Sequence, residues 1–378
     1  MTAANRPDQH PARAKLLVID AYGRLRHAPR RAAIEALRPR DLVIANDAAT
    51  LPASLQGEHV PTGRTIEVRL AGRRSLAPED VKAFIATVFG EGDFHVRTED
   101  RPLPPALGPG DRLRLGPLSA TVLKTLGHPR LVSLCFDGAP DAIWAGLARH
   151  GRPIQYAHVA EPLALWDVWT VIAGRPVAFE APSAGFVLDW RMLAAMRARH
   201  IEFATLTHAA GLSSTGDDEL DARLPFDEPY DIPATTASAI ARARSSGRRI
   251  VAVGTTVVRA LEHAAAGDGC VRPGPGVATQ RIGPATRLRI VDAILSGVHE
   301  PATSHYQLLR AFADDATLGR AQEEMSAHGY RTHEFGDSVL IEAGRGVQST
   351  ECRTQKRRRG VRCAIDAHRP LVASPLET

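Results

Sequence analysis

Residues 249–262, with the sequence RIVAVGTTVVRALE, constrain the fold of this chain more than any other segment. The apolar run Ile250–Val253 is short and rich in β-branched residues, which favours a buried strand over a helix. Gly254, Thr255 and Thr256 then indicate a turn into a helix, because glycine permits tight turns and threonine caps helix starts. A buried strand that leads directly into a helix is typical of parallel sheets covered by helices. The segment therefore predicts an α/β fold.

Similar patterns on both sides of a different central region indicate a discontinuous main domain. Strand patterns at residues 15–20 and 41–46 flank a helical stretch at 30–37, and strand and helix patterns alternate again after Tyr156. The region between them contains short β-like pieces separated by Gly and Pro, which predict a β-rich insertion. We therefore expect an α/β domain with a mixed or parallel sheet at residues 15–60 and 154–344, an inserted β-rich domain at 61–153, and a basic, disordered tail at 345–378.

The net charge of +5 comes from the end of the chain. Residues 345–378 contain eight Lys/Arg and three Asp/Glu, which leaves residues 1–344 with 39 charges of each sign. A protein that grips RNA by its phosphates usually has a basic surface, because each neutralised phosphate releases counterions. Because residues 1–344 are neutral overall, a basic RNA-binding surface is either a local patch within them or the tail, with its KRRR run at 356–359.

Several protein classes are disfavoured by composition. The first fourteen residues lack an apolar signal region, and no later segment has eighteen uninterrupted apolar residues. The four cysteines have no Cys-x-x-Cys spacing, so neither a disulfide framework nor a zinc site is suggested. We expect a cytoplasmic monomer with no membrane segment.

The Gly-Thr-Thr turn could bind a phosphate, a carboxylate or a ribose. Backbone N–H groups at a helix start carry partial positive charge and have no partners within the helix. The same residues are common at helix starts that bind nothing, and the local pattern alone favours that interpretation. The turn lacks the Lys of a P-loop and the glycine spacing of a dinucleotide fingerprint.

Other candidate residues lie at predicted strand ends and turns, where ligands usually bind in open α/β sheets. Asn46 and Asp47 end the strand pattern at 41–46, and the long acidic loop 211–231 is typical of a lid or binding loop. The turn APSAG at 181–185 permits close approach of a ligand or is simply a tight turn, which is the favoured interpretation.

Two segments near the end of the patterned region leave alternatives open. His299 is six residues from His305, a spacing that does not place two metal ligands on one helix face, so we predict no metal site. His299 is then either a polar group of a cleft or a structural histidine. Asp337 either anchors a ribose hydroxyl or caps its own turn, and the cap is favoured.

Taken in order, five segments resemble the S-adenosylmethionine:tRNA ribosyltransferase-isomerases of queuosine biosynthesis, over about residues 15–342. The most specific of them is similar to the family's Val-Ile-Ala-Val-Gly-Thr-Thr-Ser-Val-Arg-Thr-Leu-Glu. Five motifs in the same order argue against a chance match. The similar residues are Asn46, Asp47, Pro52 and Ala53; Ala181–Gly185, with Ser183 in place of Thr; Ile250–Glu262; His299 and Pro301; and Tyr330, Arg331, Gly336 and Asp337.

The resemblance implies that S-adenosylmethionine is a substrate that donates its ribosyl group, with no permanently bound cofactor and with tRNA as partner. The 5′ carbon beside the sulfonium loses a proton, adenine and methionine leave, and an epoxycyclopentanediol remains on a 7-deazaguanine. Such chemistry needs a base, a group that protonates adenine, and a water-poor site. The family fold, an α/β domain with an inserted β-barrel, agrees with the change of pattern at residues 61–153.

The resemblance also implies which side chains form the site. Asp47, His208 and His299 are the implied catalytic residues, with Asp47 or His208 as the base. The implied binding residues are Asn46, Pro182, Ser183, Ala184, Gly185, Gly254, Thr255, Thr256, Arg259, Glu262, Pro301, Tyr330 and Asp337.

Departures from the family pattern fall on the side expected to bind the acceptor. Ala49 stands where the family has Arg, and Val187 stands where it has the His of Leu-His-Phe. Three hypotheses follow: the family reaction on tRNA, the same donor used on a free nucleobase or small amine, and a non-catalytic RNA-binding or ligand-sensing protein. They are ranked in that order.

Overall fold

A computed structural model describes residues 1–301 and 303–344 of the chain. The tail predicted at residues 345–378 lies outside these described residues. Among the described helices, none has both the length and the apolar character needed to cross a bilayer.

The described part of the chain alternates strands with helices after a strand-rich first third. Its strands are β1 (Thr2–Ala3), β2 (Lys15–Ile19), β3 (Leu25–Pro29), β4 (Leu42–Asn46), β5 (Ala49–Thr50), β6 (Ser54–His59), β7 (Arg64–Gly72), β8 (Ala83–Phe89), β9 (Arg112–Leu115), β10 (Leu118–His128), β11 (Leu131–Phe136), β12 (Pro176–Ala178), β13 (Glu202–His208), β14 (Glu228–Ile232), β15 (Ile250–Val253), β16 (Gly274–Ala278), β17 (Ala293–Gly297), β18 (Arg331–Thr332) and β19 (Ser338–Glu342).

Its α-helices range from single turns to about three turns. They are α1 (Ala33–Ala36), α2 (Pro140–His150), α3 (Leu165–Val168), α4 (Trp190–Ala198), α5 (Asp218–Asp221), α6 (Ala234–Ser245), α7 (Thr255–Ala264), α8 (Ser304–Leu309) and α9 (Asp315–Ala327). Short 3₁₀ helices span Arg30–Ala32, Thr98–Asp100 and Ser183–Val187.

The main body is a nine-stranded mixed sheet with the order β16-β14-β13-β4-β15-β17-β19-β2-β3. The four central strands from β13 to β17 are parallel, as are β19 and β2, and the remaining neighbours are antiparallel. The predicted α/β class with a mixed or parallel sheet is therefore confirmed.

Strand β15 shows why this sheet needs helices on both faces. All four of its residues are buried, and successive side chains point to opposite faces. Ile250 and Ala252 join the core that contains α6 and α7, whereas Val251 and Val253 pack with α4. Burial of each Ile or Val contributes about 1.5–3 kcal/mol. The apolar run that predicted the fold is therefore the centre of the sheet.

A closed six-stranded barrel with the order β10-β11-β8-β7-β6-β9 precedes the long α/β region, and all its pairs are antiparallel. The barrel implied by the resemblance is therefore confirmed. Its first strand is Ser54–His59, so the boundary expected at residue 61 follows that strand. The division of the chain into domains stays a prediction.

The interpretation of residues 15–46 as strand, helix, strand omitted a strand. Strand β3 folds back on β2 and forms the edge of the sheet, and three strands separate β2 from β4. The hairpin turn is made by Gly23 at φ 74° and by Asp20, whose carboxylate accepts from the N–H groups of Tyr22 and Arg24. This Asx-type turn chemistry is the signal that was missed.

Candidate active site

A cleft of about 620 Å³ opens beyond the carboxyl ends of β12 and β17. The residues that follow these strands form two of its walls, and the segment at 97–99, which precedes the barrel strand β9, forms another. Ligands bind at this edge of α/β sheets because strand ends and loops present polar groups there. The titratable side chains that line the cleft are Arg97, Glu99, Tyr156, His158, Glu180, His299, Glu300, His305, His333 and Glu334.

A larger and more open groove of about 760 Å³ lies at the opposite edge of the sheet. It is lined by Arg40, Glu202 and Arg248, at the amino ends of β4, β13 and β15. The residues implied by the resemblance do not line this groove, whereas two of them line the smaller cleft. The smaller cleft is therefore the candidate active site.

Glu180 is held in the wall of the cleft by three neighbours. Its backbone N–H bonds to the carbonyl of Ala210 at 3.4 Å, and its carboxylate accepts from the Tyr156 hydroxyl and, at 3.0 Å, from the N–H of Ser213. Burial raises the pKa of Glu180 to about 7, although the hydrogen bond from Tyr156 acts in the opposite direction. A carboxyl group that is half ionised near neutral pH is suited to accept and return protons.

A second carboxylate faces the same cleft from the turn after β18. Glu334 Oε2 lies 3.2 Å from His158 Nε2, and the His158 and His333 rings stack with centroids 4.3 Å apart. Burial raises the pKa of Glu334, but the hydrogen bond and charge of His158 outweigh it and the pKa is lowered. Glu334 is thus ionised under conditions in which Glu180 is partly protonated.

His158, His333 and Glu334 are also spaced so that they could hold a metal ion. Their donor atoms lie within 4.8 Å of one another. The hydrogen bond between His158 and Glu334 accounts for the grouping without an ion, so we assign no metal there. The absence of a metal site stays a prediction.

His299 and His305 form a stacked pair on another wall, with ring centroids 4.7 Å apart. Ser296 Oγ lies 2.9 Å from His299 Nε2. Burial lowers the pKa of His299 well below its ordinary value and lowers that of His305 to about 4. Both imidazoles are therefore neutral at pH 7, and each has a ring nitrogen able to accept a proton or a hydrogen bond.

The APSAG turn and the Gly-Thr-Thr turn meet beside this cleft. Ser183 lines the cleft, and a Cβ on Gly254 would lie 3.3 Å from the Cβ of Ala184. A Cβ on Gly185 would stand 2.9 Å from Thr170. Pro182 precedes the 3₁₀ helix that carries these residues. Small residues are required here because the two turns approach each other and the Thr170 side chain.

Thr255, Thr256 and Arg259 line a small adjoining cavity of about 40 Å³, which shares His305 with the cleft. Arg259 is buried and donates to the Glu228 carboxylate and, at 3.0 Å, to the carbonyl of Ala278. Arg259 thereby fixes the end of the long acidic loop against helix α7.

Glu262 lies one turn farther along α7 and faces away from the turn. Its carboxylate accepts from the backbone N–H groups of Arg289, Ile290 and Val291 at 2.7–2.9 Å. These bonds anchor the segment that leads into β17. A binding role for Arg259 and Glu262 stays a prediction.

Asn46, Asp47 and His208 lie at the same edge of the sheet but do not line the cleft. The Asn46 side chain bridges β4 and β13 through the backbone of His208 and reaches Thr256 Oγ1 at 3.3 Å. Asp47 accepts from the Thr207 hydroxyl at 2.7 Å.

His208 is fully buried, with Nε2 3.5 Å from Glu228. Burial, assisted by the charge of Arg259, lowers the pKa of His208 well below its ordinary value. His208 is therefore a neutral imidazole beneath the site, and its predicted catalytic role, like that of Asp47, is not tested by this arrangement.

The last residues implied by the resemblance lie apart from the cleft. Tyr330 is buried with its hydroxyl 3.0 Å from His27 Nδ1, and Asp337 accepts from the N–H groups of Lys15 and Arg331 at 2.6 and 2.8 Å. Pro301 is exposed beyond His299. The Asp337 carboxylate thus joins β18 to the start of β2, and any ligand role for these three residues stays a prediction.

The sequence patterns missed most of the ionisable groups in the cleft. Glu180, His158, His333 and Glu334 were not among the candidate residues, and Tyr156 appeared only as the start of a pattern. Glu180 had a usable signal, because it is a charged residue directly between an apolar strand and the APSAG turn. His333 and Glu334 are neighbours in one turn, but their pairing with His158 from a distant loop has no local signal in the sequence.

Comparison with known proteins identifies the family of this chain. The family described as "Queuosine biosynthesis protein" matches residues 1–341. The S-adenosylmethionine:tRNA ribosyltransferase-isomerase of Sorangium cellulosum (strain So ce56) is 33% identical over 371 residues, covering 92% of this chain and 96% of that protein. The chain belongs to this family. The relatives are named as ribosyltransferase-isomerases, so this chain is an enzyme of the transferase and isomerase class. The hypothesis of a non-catalytic protein is therefore set aside.

Two further known proteins are similar to this chain. The enzyme of the same name from Methylobacterium sp. (strain 4-46) is 33% identical over 314 residues, covering 81% of this chain and 85% of that protein. The crystal structure of S-adenosylmethionine tRNA ribosyltransferase from Thermotoga maritima aligns with 90% of this chain and 96% of its own, with 23% identity and a TM-score of 0.47.

Proposed function

We propose that this enzyme transfers and isomerises the ribosyl moiety of S-adenosylmethionine onto the aminomethyl group of a 7-deazaguanine in tRNA. The products are epoxyqueuosine-tRNA, adenine and methionine. Support comes from the relatives that carry the S-adenosylmethionine:tRNA ribosyltransferase-isomerase name. The observation that carries the proposal is the cleft itself, where partly buried carboxyl groups and neutral imidazoles converge beside the two motif turns.

The charge of the cleft suits a cationic donor. Four glutamates and one arginine line it, and its histidines His299 and His305 are neutral at pH 7. S-adenosylmethionine has a sulfonium and an ammonium group against one carboxylate, so acidic walls attract it. The field inside a partly enclosed cleft strengthens such attraction, because the surrounding dielectric is low.

The adjoining turns offer groups for the uncharged and anionic parts of the donor. Helix α7 starts at Thr255, and its first N–H groups and the hydroxyls of Thr255 and Thr256 stand beside the small cavity. Such a helix start favours a carboxylate or ribose oxygens. Ser183, at the cleft side of the other turn, supplies a further hydroxyl.

The proposed chemistry needs exclusion of water and a proton for departing adenine. Residues 97–99 close one side of the cleft, and Ser213 and Ser214 of the predicted binding loop close another. Of the three predicted catalytic residues, His299 lines the cleft, where its neutral imidazole can form a hydrogen bond with the departing adenine.

The acceptor is the less constrained half of the proposal. Acidic walls repel phosphate, so a tRNA backbone must be held outside the cleft while its aminomethyl base enters. The position that has an imidazole in the family pattern is here part of the segment Phe186–Leu188, which is buried, with Phe186 stacked on Phe335 at 5.5 Å. This loss favours, as a second candidate, ribosyl transfer to a small amine or free nucleobase.

The decisive experiment follows adenine release and RNA mass together. The protein is incubated with S-adenosylmethionine and either tRNA bearing the 7-aminomethyl-7-deazaguanine or the same tRNA bearing guanine. We expect adenine release and a matching mass increase with the modified tRNA alone. Adenine release with a free amine but not with tRNA would establish the second candidate. Absence of both adenine release and donor binding in calorimetry would refute both.

A further inference from the structure

We propose that Glu180 is the base that removes the proton from the 5′ carbon of S-adenosylmethionine, with Tyr156 as the residue that positions its carboxylate. The inference rests on the proposed function and names the group that this function leaves open. It replaces Asp47 and His208, the residues that the sequence pattern suggested for this role.

The geometry around Glu180 is that of a held but accessible carboxylate. One oxygen accepts from the Tyr156 hydroxyl, and the other accepts from the N–H of Ser213 at 3.0 Å. Both Glu180 and Tyr156 are partly buried and line the cleft. Because the carboxylate is fixed by two donors from different segments, its remaining lone pairs face a defined direction, which is a requirement for efficient proton abstraction.

The groups around Glu180 determine the pH at which its carboxyl group ionises. Burial and the negative charge of Glu334 raise the pKa of Glu180, and the donors Tyr156 and Ser213 lower it, with a result of about 7. Arg69, from barrel strand β7, lies with its guanidinium 5.6 Å from the Tyr156 ring centre and interacts with the Glu180 charge. His158 keeps Glu334 ionised. A base with this pKa is largely ionised at pH 8 and still strong enough to take a proton.

The proposed step balances as a simple proton transfer. The C5′–H bond breaks, its electron pair stays on C5′ beside the positive sulfur, and the proton passes to Glu180. The neutral carboxyl group that forms suits this partly apolar wall, since burial disfavours the charged form. The adjacent sulfonium acidifies the proton, so a carboxylate is a sufficient base.

The alternatives suggested by sequence are less well placed. Asp47 is engaged by the Thr207 hydroxyl and does not line the cleft, and His208 is fully buried beneath Asn46 and Glu228. A group must lie within hydrogen-bonding reach of the proton that it abstracts. Glu180 lines the cleft and can contact a donor bound there, whereas Asp47 and His208 do not line it.

The first test compares Glu180→Gln with wild type, using S-adenosylmethionine deuterated at C5′ and the modified tRNA. We expect adenine release to fall at least about 100-fold, the scale of general base catalysis, with donor affinity in calorimetry changed less than about threefold. Glu180→Asp, which retracts the carboxylate, should keep measurable activity with a larger deuterium isotope effect. Unchanged adenine release in Glu180→Gln would overturn the proposal.

A second test uses the pH dependence of adenine release, which a merely structural role would not shift. Tyr156→Phe removes a donor that lowers the pKa of Glu180, so the acidic limb of kcat/KM should move to higher pH. Glu334→Gln removes a negative charge that raises this pKa, so the limb should move to lower pH. Glu323→Gln, an exposed carboxylate on α9, is the matched control and should leave the profile unchanged.

The outcomes separate this inference from the proposed function. If wild type releases adenine and the acidic limb of kcat/KM stays at the wild-type pH in both Tyr156→Phe and Glu334→Gln, Glu180 is not the base although the function stands. If activity disappears in Asp47→Asn or His208→Gln but persists in Glu180→Gln, the base is one of those residues. If wild type neither binds the donor nor releases adenine, the function falls and this inference falls with it.

Discussion

Gly254 and Ala184 stand so close that a Cβ on the glycine would lie 3.3 Å from the Cβ of the alanine. One residue directly follows the central strand β15, and the other belongs to the APSAG turn seventy residues earlier in the chain. Neither motif is specific alone, because small residues at turns are common. Their contact at the edge of the cleft explains why both need small side chains.

Gly254→Ala should destabilise the protein by about 1–3 kcal/mol, because φ 96° and ψ 156° form a conformation that only glycine adopts readily. Donor affinity should fall as well, since the start of helix α7 must shift. Denaturant unfolding and calorimetry measure the two effects. The control is Gly267→Ala, where a Cβ meets nothing within 4 Å, and its effect should stay within about 0.5 kcal/mol. Equal effects of the two substitutions would contradict the prediction.

Glu180→Gln should make the protein more stable than wild type at pH 8. The pKa of Glu180 in the folded state, about 7, exceeds its ordinary value of 4.5, so the folded state holds the proton more tightly. The resulting stabilisation is complete below pH 4.5 and is lost as the pH rises through about 7. The free energy of unfolding of the variant should therefore rise relative to that of wild type by on the order of 3 kcal/mol between pH 4.5 and pH 8. Thermal melts of both proteins across this range test the difference, and parallel pH curves would disprove it.

His305→Asn should make the protein less sensitive to acid. Burial lowers the pKa of His305 to about 4, against 6.5 for an ordinary histidine, so between these values the unfolded chain binds a proton that the folded chain does not. Stability contributed by neutral His305 is present above pH 6.5 and is lost as the pH falls through about 4. The free energy of unfolding of the variant should fall by on the order of 3 kcal/mol less than that of wild type over that interval. Denaturant unfolding at pH 7, 6, 5 and 4 measures it, with His10→Asn, at an exposed position, as control. Equal acid sensitivity of wild type and His305→Asn would count against it.

Arg259→Met should destabilise the protein by about 3–5 kcal/mol, because it leaves the buried Glu228 carboxylate without its cation. The double variant with Glu228→Gln should recover part of that loss, since the uncompensated charge is gone. Arg197→Met, on the exposed face of α4, is the control and should be nearly neutral. Urea unfolding of wild type, the single variants Arg259→Met and Glu228→Gln, and the double variant gives the coupling energy between Arg259 and Glu228. A double variant no more stable than Arg259→Met would show that the unpaired Glu228 carboxylate does not cause the loss of stability.

Elements with a strong local signal were predictable from sequence. The run Ile250–Val253 is a four-residue strand with both faces buried, and its apolar, β-branched composition indicates that state without reference to the rest of the chain. Helix α6 (Ala234–Ser245) likewise lies in the region after Tyr156 where alternating strand and helix patterns were predicted. Strand β3 was missed because its residues LRHAP have no alternating apolar pattern and depend on pairing with β2.

The residues themselves therefore established the α/β class, the strand that leads into the Gly-Thr-Thr turn and, through five motifs in order, the family. These features are encoded locally, in side-chain periodicity and in backbone conformations that particular residues favour. The ionisable centre of the cleft depends on folding, because Tyr156, Glu180 and Glu334 come from three distant segments. The pKa of Glu180 rises to about 7 through burial and a neighbouring charge, and both depend on distances in space.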